Sequence, residues 1–268
     1  MATMAKRRAR KKAKAEGEKD RPAAGEPDHG SDASKGGKGK APKKENALVE
    51  WAKSLLIALL LFFFITTFLI KTFVIISGSM EDTLLVGDLL LVNRAAVGSK
   101  VPGTSFRIPG YSQPERGQIF VLDPPHEEEL MLVKRMMGLP GDTLEMRDKV
   151  LFVNGEPLEE PYVRTIDAGD HADPAMAWQE DIVLRDPSDQ PYRPTRDNWG
   201  PLVIPPGRYF MMGDNRDESL DSRYWGLVER WRLVGRPFLV YFSYERESYR
   251  PFAWLTRIRW GRIGHRVR

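Results

Sequence analysis

The chain has 268 residues, a formal charge of +4 at neutral pH and 41% hydrophobic residues, enough for one large domain or two modest ones. It contains no cysteine, which excludes thiol catalysis, cysteine-ligated zinc, iron–sulfur clusters and disulfides. The positive excess gathers in the first fifty residues and at the extreme C-terminus, so no basic recognition helix is needed to explain it, and no nucleic-acid partner is expected.

From Met1 to about Lys44 the sequence is Lys, Arg, Ala, Gly, Glu, Asp and Pro with almost no branched or aromatic apolar side chains. Such a segment cannot bury enough surface to offset its conformational entropy, so residues 1–46 are expected to be a disordered basic tail. A nuclear-localisation or nucleic-acid arm is the rival reading of Lys6-Arg7-Arg8-Ala9-Arg10-Lys11-Lys12, and the next feature weakens it. Ser54 to Ile70 is a charge-free run, extended past Lys71 by Thr72-Phe73-Val74-Ile75-Ile76 and approached through an apolar-leaning Ala47 to Ala52. It reaches the roughly 20 residues that a helix needs to cross a bilayer, and its uniform Leu/Phe/Ile character suits a span better than a surface-lying helix. Residues 47–72 are therefore expected to be a single transmembrane anchor. Positive residues crowd its N-terminal side, so the N-terminus is expected in the cytoplasm and residues 73–268 outside the cytoplasmic membrane, with Lys71 at the interface.

The rest of the chain is punctuated like strands and turns. Leu89-Leu90-Leu91-Val92, Gln118 to Leu122, Lys149 to Val153 and Phe238 to Phe242 are short apolar or alternating runs bounded by Gly, Pro, Asn and Asp. Asn154-Gly155 signals a two-residue hairpin turn. An all-β fold of antiparallel sheets is expected. Between about 156 and 206 Asp, Pro, Arg and Gln dominate, which suggests an inserted, partly irregular subdomain rather than core. Trp254 to Arg268 alternates aromatic or aliphatic with basic residues, as a surface strand or a face near lipid headgroups would.

Only four histidines occur (His29, His126, His171, His265), with no H-x-x-x-H pair. No metal site, no cofactor and no Ser-His-Asp triad are expected, and His126 in Pro-Pro-His-Glu-Glu-Glu reads as a solvated loop. A serine nucleophile here needs another base, and lysine serves only as the neutral amine, which burial favours. Ser79, in Ser77-Gly78-Ser79-Met80 at the outer edge of the apolar run, is the candidate nucleophile. Lys134 is the candidate base. It follows Leu130-Met131-Leu132-Val133, and strand alternation puts it on the face of Leu132 and points Arg135 the other way. The Ser79 N–H and the Ser77 hydroxyl are candidates for an oxyanion hole. Gly213 to Arg223 reads as a buried polar network in which Asp214 and Asp221 pair with Arg216 or Arg223 and hold Ser219 against the lysine.

In order along the chain, the anchor, Ser77-Gly78-Ser79-Met80-Glu81-Asp82-Thr83-Leu84, Gly87-Asp88, Arg116-Gly117-Gln118-Ile119, Lys134-Arg135 with Gly138-Leu139-Pro140-Gly141-Asp142, and Gly213 to Gly226 resemble the bacterial type I signal peptidases. These are membrane-bound Ser/Lys endopeptidases that remove signal peptides from exported preproteins. The resemblance covers roughly Phe73 to Trp260, least well in the inserted region. It implies an all-β, two-part catalytic domain with Ser79 as nucleophile, Lys134 as general base, Ser77 in the oxyanion hole, Ser219 orienting the lysine and Asp221 supporting that network. It also implies cleavage after Ala-x-Ala in shallow pockets formed by Phe73, Ile75, Ile76, Met80, Leu84, Val121, Leu132 and Val133. The implied partners are preprotein signal peptides and membrane lipid, with the secretion machinery as a further candidate. The sequence departs from the family pattern at Asp82, usually Pro, and at Gln118, often Asp. A self-cleaving repressor-type Ser/Lys protease is a second reading, which the anchor and the lack of a DNA-binding domain oppose. An inactive membrane-tethered β-domain scaffold is the alternative from another class.

Overall fold

The computed structural model describes residues 47–126, 130–185 and 191–268; the expected basic tail, 1–46, lies outside them. Helix α1 (Ala47–Phe64) carries Leu, Ile and Phe around its whole circumference and buries none of them. It continues as one wider turn, Ile65–Leu69, where the Thr66 hydroxyl donates back to the Phe62 carbonyl at 2.8 Å and competes with the helical ladder. The 23 residues Ala47–Leu69 are long and apolar enough to cross a membrane, the one such helix among the described residues. The helix stops three residues before the expected end of the anchor. Ile70 to Thr72 belong instead to strand β1, drawn out by five residues of antiparallel pairing from Ile70–Asn93 to Val74–Leu89.

The strands that follow are β1 (Ile70–Val74), β2 (Asp88–Asn93), β3 (Gly98–Lys100), β4 (Arg107–Pro109), β5 (Ile119–Leu122), β6 (Leu132–Gly138) and β7 (Thr143–Arg147). After them come β8 (Val150–Val153), β9 (Glu156–Pro157), β10 (Trp199–Val203), β11 (Arg208–Met212), β12 (Val228–Glu229) and β13 (Leu233–Ser243). One sheet has the order β1-β2-β13-β5-β6-β11-β12, a second β10-β7-β8-β9, and β3 pairs with β4; every strand pairing is antiparallel. The all-β expectation therefore holds.

Strand β5 shows how the core is layered. All four of its side chains are buried, Ile119 and Val121 against Leu90, Val92 and Val240, and Phe120 and Leu122 against Met136, Met211 and Leu233. A strand covered on both faces reads as an unbroken apolar run, and alternation assigns each side chain to its layer. Strand β6 lies beside it with Phe120 opposite Lys134 and Ile119 opposite Arg135. Both cations are therefore carried into the interior, one on each face.

A third layer packs Leu144, Met146, Leu151 and Val153 of the second sheet on Phe210 and Met212. Asn154 and Gly155, at φ 53° and 87°, make the expected hairpin turn between β8 and β9. The polar stretch 156–206 supplies β9, β10 and a 3₁₀ stretch at Pro174–Asp181, and it buries Met176, Trp199, Leu202 and Ile204 in this same layer. These four apolar residues are thus part of the core, while Ile166 and Leu184 stay exposed.

Candidate active site

Ser77 is extended, and Gly78–Met80 form a single 3₁₀ turn. Met80 and Leu84, both fully buried, pull this turn onto the core, leaving Ser79 only 8% exposed. Glu81 (φ −55°, ψ 149°) and Asp82 (φ 74°) are the central residues of a type II turn closed by Thr83 N–H donating to the Met80 carbonyl at 3.1 Å. The second central position of such a turn requires a positive φ, which aspartate tolerates and the proline ring cannot adopt. That gives Asp82 a physical reason that the sequence did not supply. Gln118, the other departure, is half-buried and donates to Glu115 at 2.6 Å.

The loop after β11 clasps this turn. Asn215 donates from its backbone to the Ser79 carbonyl at 3.1 Å and from its side chain to the Gly78 carbonyl at 3.2 Å. At Gly213 the approach is so close that a Cβ would stand 2.4 Å from the Ser79 carbonyl oxygen and 2.2 Å from the Ser219 hydroxyl. Only glycine fits there. Ser79 and Ser219 are consequently neighbours across a single backbone thickness, although 140 residues separate them in the chain.

Lys134 is 1% exposed, and its ammonium nitrogen donates to Ser219 Oγ at 2.9 Å. Among the described residues no carboxylate makes an ion pair or hydrogen bond with it. Burial lowers its pKa to about 8; the Asp221 carboxylate opposes that shift, Arg223 adds to it, and Asp214 opposes it more weakly. The Ser77 and Ser79 hydroxyl oxygens are 3.5 Å apart. Ser79 and Lys134 share no hydrogen bond.

Asp221 caps the short helix α2 (Ser222–Trp225) and accepts from Gly213 N–H at 3.1 Å and from Arg223 Nε at 2.9 Å, both side chains of the ion pair being wholly buried. Burial pushes its carboxyl up, but the Arg223 guanidinium, the Lys134 ammonium and the Gly213 N–H together more than offset this and hold it below the ordinary range. Arg223 also donates to the carbonyls of Arg216 (2.6 Å) and Ser219 (3.3 Å), so the pair fixes both ends of the turn that leads into Ser219. Asp214, in contrast, departs from the expected pairing. It takes a two-pronged bond from Arg135 of β6 at 2.8 and 2.7 Å and a hydrogen bond from Thr83 at 2.6 Å, while Arg216 turns to Glu160 at 3.0 Å. Nothing local in the sequence marks these long-range partners.

A cavity of about 70 Å³ lies beside Ser77 and Ser79, lined by Ile75, Ile76, Met80, Leu132 and Val133 of the expected pocket set. Phe73, Leu84 and Val121 do not line it and pack in the apolar layer behind. Val74, Leu130 and Met131 do line it and were not expected; the apolar runs leading into Ser77 and into Lys134 were the available signals. The volume is about that of two waters, which suits a small side chain. His126 is exposed in a turn, its ring stacked on Trp225 with centroids 5.7 Å apart, and His171 pairs with Asp167 at the surface.

The family model described as signal peptidase, peptidase S26, matches residues 48–242. The chain is 37% identical over 216 residues to a signal peptidase I of Pseudomonas aeruginosa, covering 75% of both chains. It is 35% identical over 208 residues to a signal peptidase I P of Bacillus subtilis subsp. natto, covering 77% of this chain and 96% of that one. A solved signal peptidase I from Enterococcus faecalis is 30% identical and aligns over 47% of this chain and 97% of its own, with a TM-score of 0.32.

Proposed function

The chain belongs to the signal peptidase family, peptidase S26, as a signal peptidase I serine peptidase, and we propose that it removes signal peptides with Ser79 as nucleophile and Lys134 as general base. The observation that carries this reading is the state of Lys134. An ammonium buried to 1% exposure with no ion-paired carboxylate among the described residues is costly, so the neutral amine is favoured and is the form that accepts a proton.

The cycle follows from that. The signal peptide enters with its scissile carbonyl over Ser79, and a small side chain occupies the cavity between Ile76 and Val133. Lys134 takes the Ser79 proton as Oγ attacks the carbonyl carbon. The oxyanion that forms is held by the Ser77 hydroxyl and the Ser79 N–H, donors that act where charge develops. Lys134, now an ammonium, returns the proton to the leaving amine, and the mature protein departs. Water, deprotonated by the same lysine, then hydrolyses the acyl-enzyme and frees the signal peptide. Ser219 accepts a hydrogen bond from the lysine throughout and fixes its direction. Asp221 acts one step further out, through Gly213 and Arg223.

The cavity's size supports cleavage after Ala-x-Ala. The long apolar helix supports a single-pass anchor, with residues 1–46 in the cytoplasm and residues 73–268 on the outer face of the cytoplasmic membrane, in contact with lipid. A nucleophile at the emergence of the span meets a peptide whose apolar core lies in the bilayer. Detergent-solubilised full-length protein, incubated with an Ala-x-Ala preprotein, should yield one new N-terminus by sequencing. Neither Ser79→Ala nor Lys134→Ala should produce it; cleavage by either at the wild-type rate refutes the assignment.

A further inference from the structure

Residues 160–163 make a turn closed by Val163 N–H donating to the Glu160 carbonyl at 3.1 Å, and the chain then passes beside the loop that carries Ser219. Arg164 N–H donates to the Asp214 carbonyl at 2.9 Å, and its own carbonyl accepts from Arg216 N–H at 2.9 Å, a parallel bridge centred on Asn215. From this turn and the residue after it, the side chains of Glu160, Tyr162 and Arg164 each end on a different part of the site. Glu160, its side chain only 7% exposed, holds Arg216 at 3.0 Å. The Tyr162 ring lies 3.7 Å from the guanidinium carbon of Arg135, the residue that grips Asp214. Arg164 reaches over the turn after Ser79, 3.3 Å from Glu81 and 3.4 Å from Asp82. Just beyond, the amides of Ile166 and Asp167 donate to the buried Asp217 carboxylate at 2.6 and 2.8 Å, two residues before Ser219.

We propose that residues 160–167 are a positioning strap for signal-peptide cleavage, with Glu160, Tyr162 and Arg164 as positioning residues that lock the Ser219 loop to the Ser79 turn. This rests on the Ser/Lys reading above. Ser79 and Lys134 are not bonded to one another, so their separation is set indirectly, by how the turn of one sits against the loop that orients the other. Gly213 sets that separation by direct contact, and the strap holds it from the outside by spanning both segments and the β6 strand between them. Glu160, Tyr162 and Arg164 do not line the cavity and make no hydrogen bond or ion pair with Ser79, Lys134 or Ser219. They act through Arg216, Arg135 and the Glu81-Asp82 turn. A misplacement of about 1 Å at reacting groups costs up to about 100-fold in rate, so loosening the strap lowers turnover without removing any chemical group.

The test is kcat and KM of the full-length protein in detergent on an Ala-x-Ala preprotein, with the melting temperature of every variant measured alongside. Tyr162→Leu should lower kcat about 10-fold while KM changes by less than about 2-fold, and Tyr162→Phe, which keeps the ring under Arg135, should recover most of it. Arg164→Ala, at the surface and compatible with folding, should lower kcat about 3-fold, as exposed ion pairs allow. That loss should vanish in a Glu81→Gln/Asp82→Asn background. If Tyr162→Leu does not fold, the Arg164 cycle decides by itself. Variants that melt lower but turn over at the wild-type kcat overturn the strap. An active Ser79→Ala overturns the Ser/Lys reading instead, and an inactive Ser79→Ala beside fully active strap variants overturns the strap alone.

Discussion

Replacing Gly213 with alanine puts one methyl group where the Ser79 turn and the Ser219 loop meet. The added carbon would stand 2.4 Å from the Ser79 carbonyl oxygen and 2.2 Å from Ser219 Oγ, against 3.4 Å for ordinary contact. The first neighbour is backbone, pinned by Asn215 at 3.1 Å, and the second is the hydroxyl that receives the lysine. The two segments must therefore separate by about 1 Å, or Ser219 must leave Lys134. A shift of that size costs about 100-fold in rate, and overpacking of this kind about 1–3 kcal/mol of stability. Preprotein cleavage by Gly213→Ala should accordingly fall about 100-fold in kcat, with a cooperative thermal melt displaced to lower temperature. A variant that cleaves within about 3-fold of wild type would refute the claim that this contact sets the spacing of the site.

Two further substitutions probe the same scaffold. Asp82→Pro demands φ near −65° where the turn needs 74°, so it should destabilise by more than about 1 kcal/mol in a denaturant titration, whereas Asp82→Gly should melt close to wild type. Asp221→Asn leaves Arg223 charged in a fully buried position and should cost about 3–5 kcal/mol by the same titration, with Ser219 released from its turn.

Much of the site was legible in the sequence because its residues stand in short, ordered motifs. Lys134 could be placed inward from its alternation with Leu132, and Gly213 to Arg223 from its density of paired charges. The burial of Arg135 was not legible. Alternation turns it away from Lys134, but only the seven-stranded order reveals that the opposite face of β6 is covered as well. Its partner Asp214 lies 79 residues away, and no local pattern announces such a pair. Hydropathy carried the anchor on to Thr72 because it cannot register that Ile70 to Val74 pair with β2. The resemblance put Phe73, Leu84 and Val121 in the pocket, whereas they pack in the apolar layer behind the cavity beside Ser79. The stretch 156–206 is polar overall, so its few deep anchors, Trp199 and Leu202 among them, were diluted in the composition.

The central claim is that a buried, neutral Lys134 activates Ser79, and the pH profile of Ser79 acylation tests it most directly. Burial lowers the lysine's pKa from the ordinary 10.5 to about 8, so the reactive amine predominates above that value and is lost as pH falls through it. A serine-reactive acylating inhibitor should modify the peptide that contains Ser79, located by mass spectrometry, at a rate that rises with pH and is half-maximal near 8. Lys134→Ala should abolish that rise. Acylation at another residue, or a Ser79 rate that ignores pH in this range and survives loss of Lys134, would contradict the account.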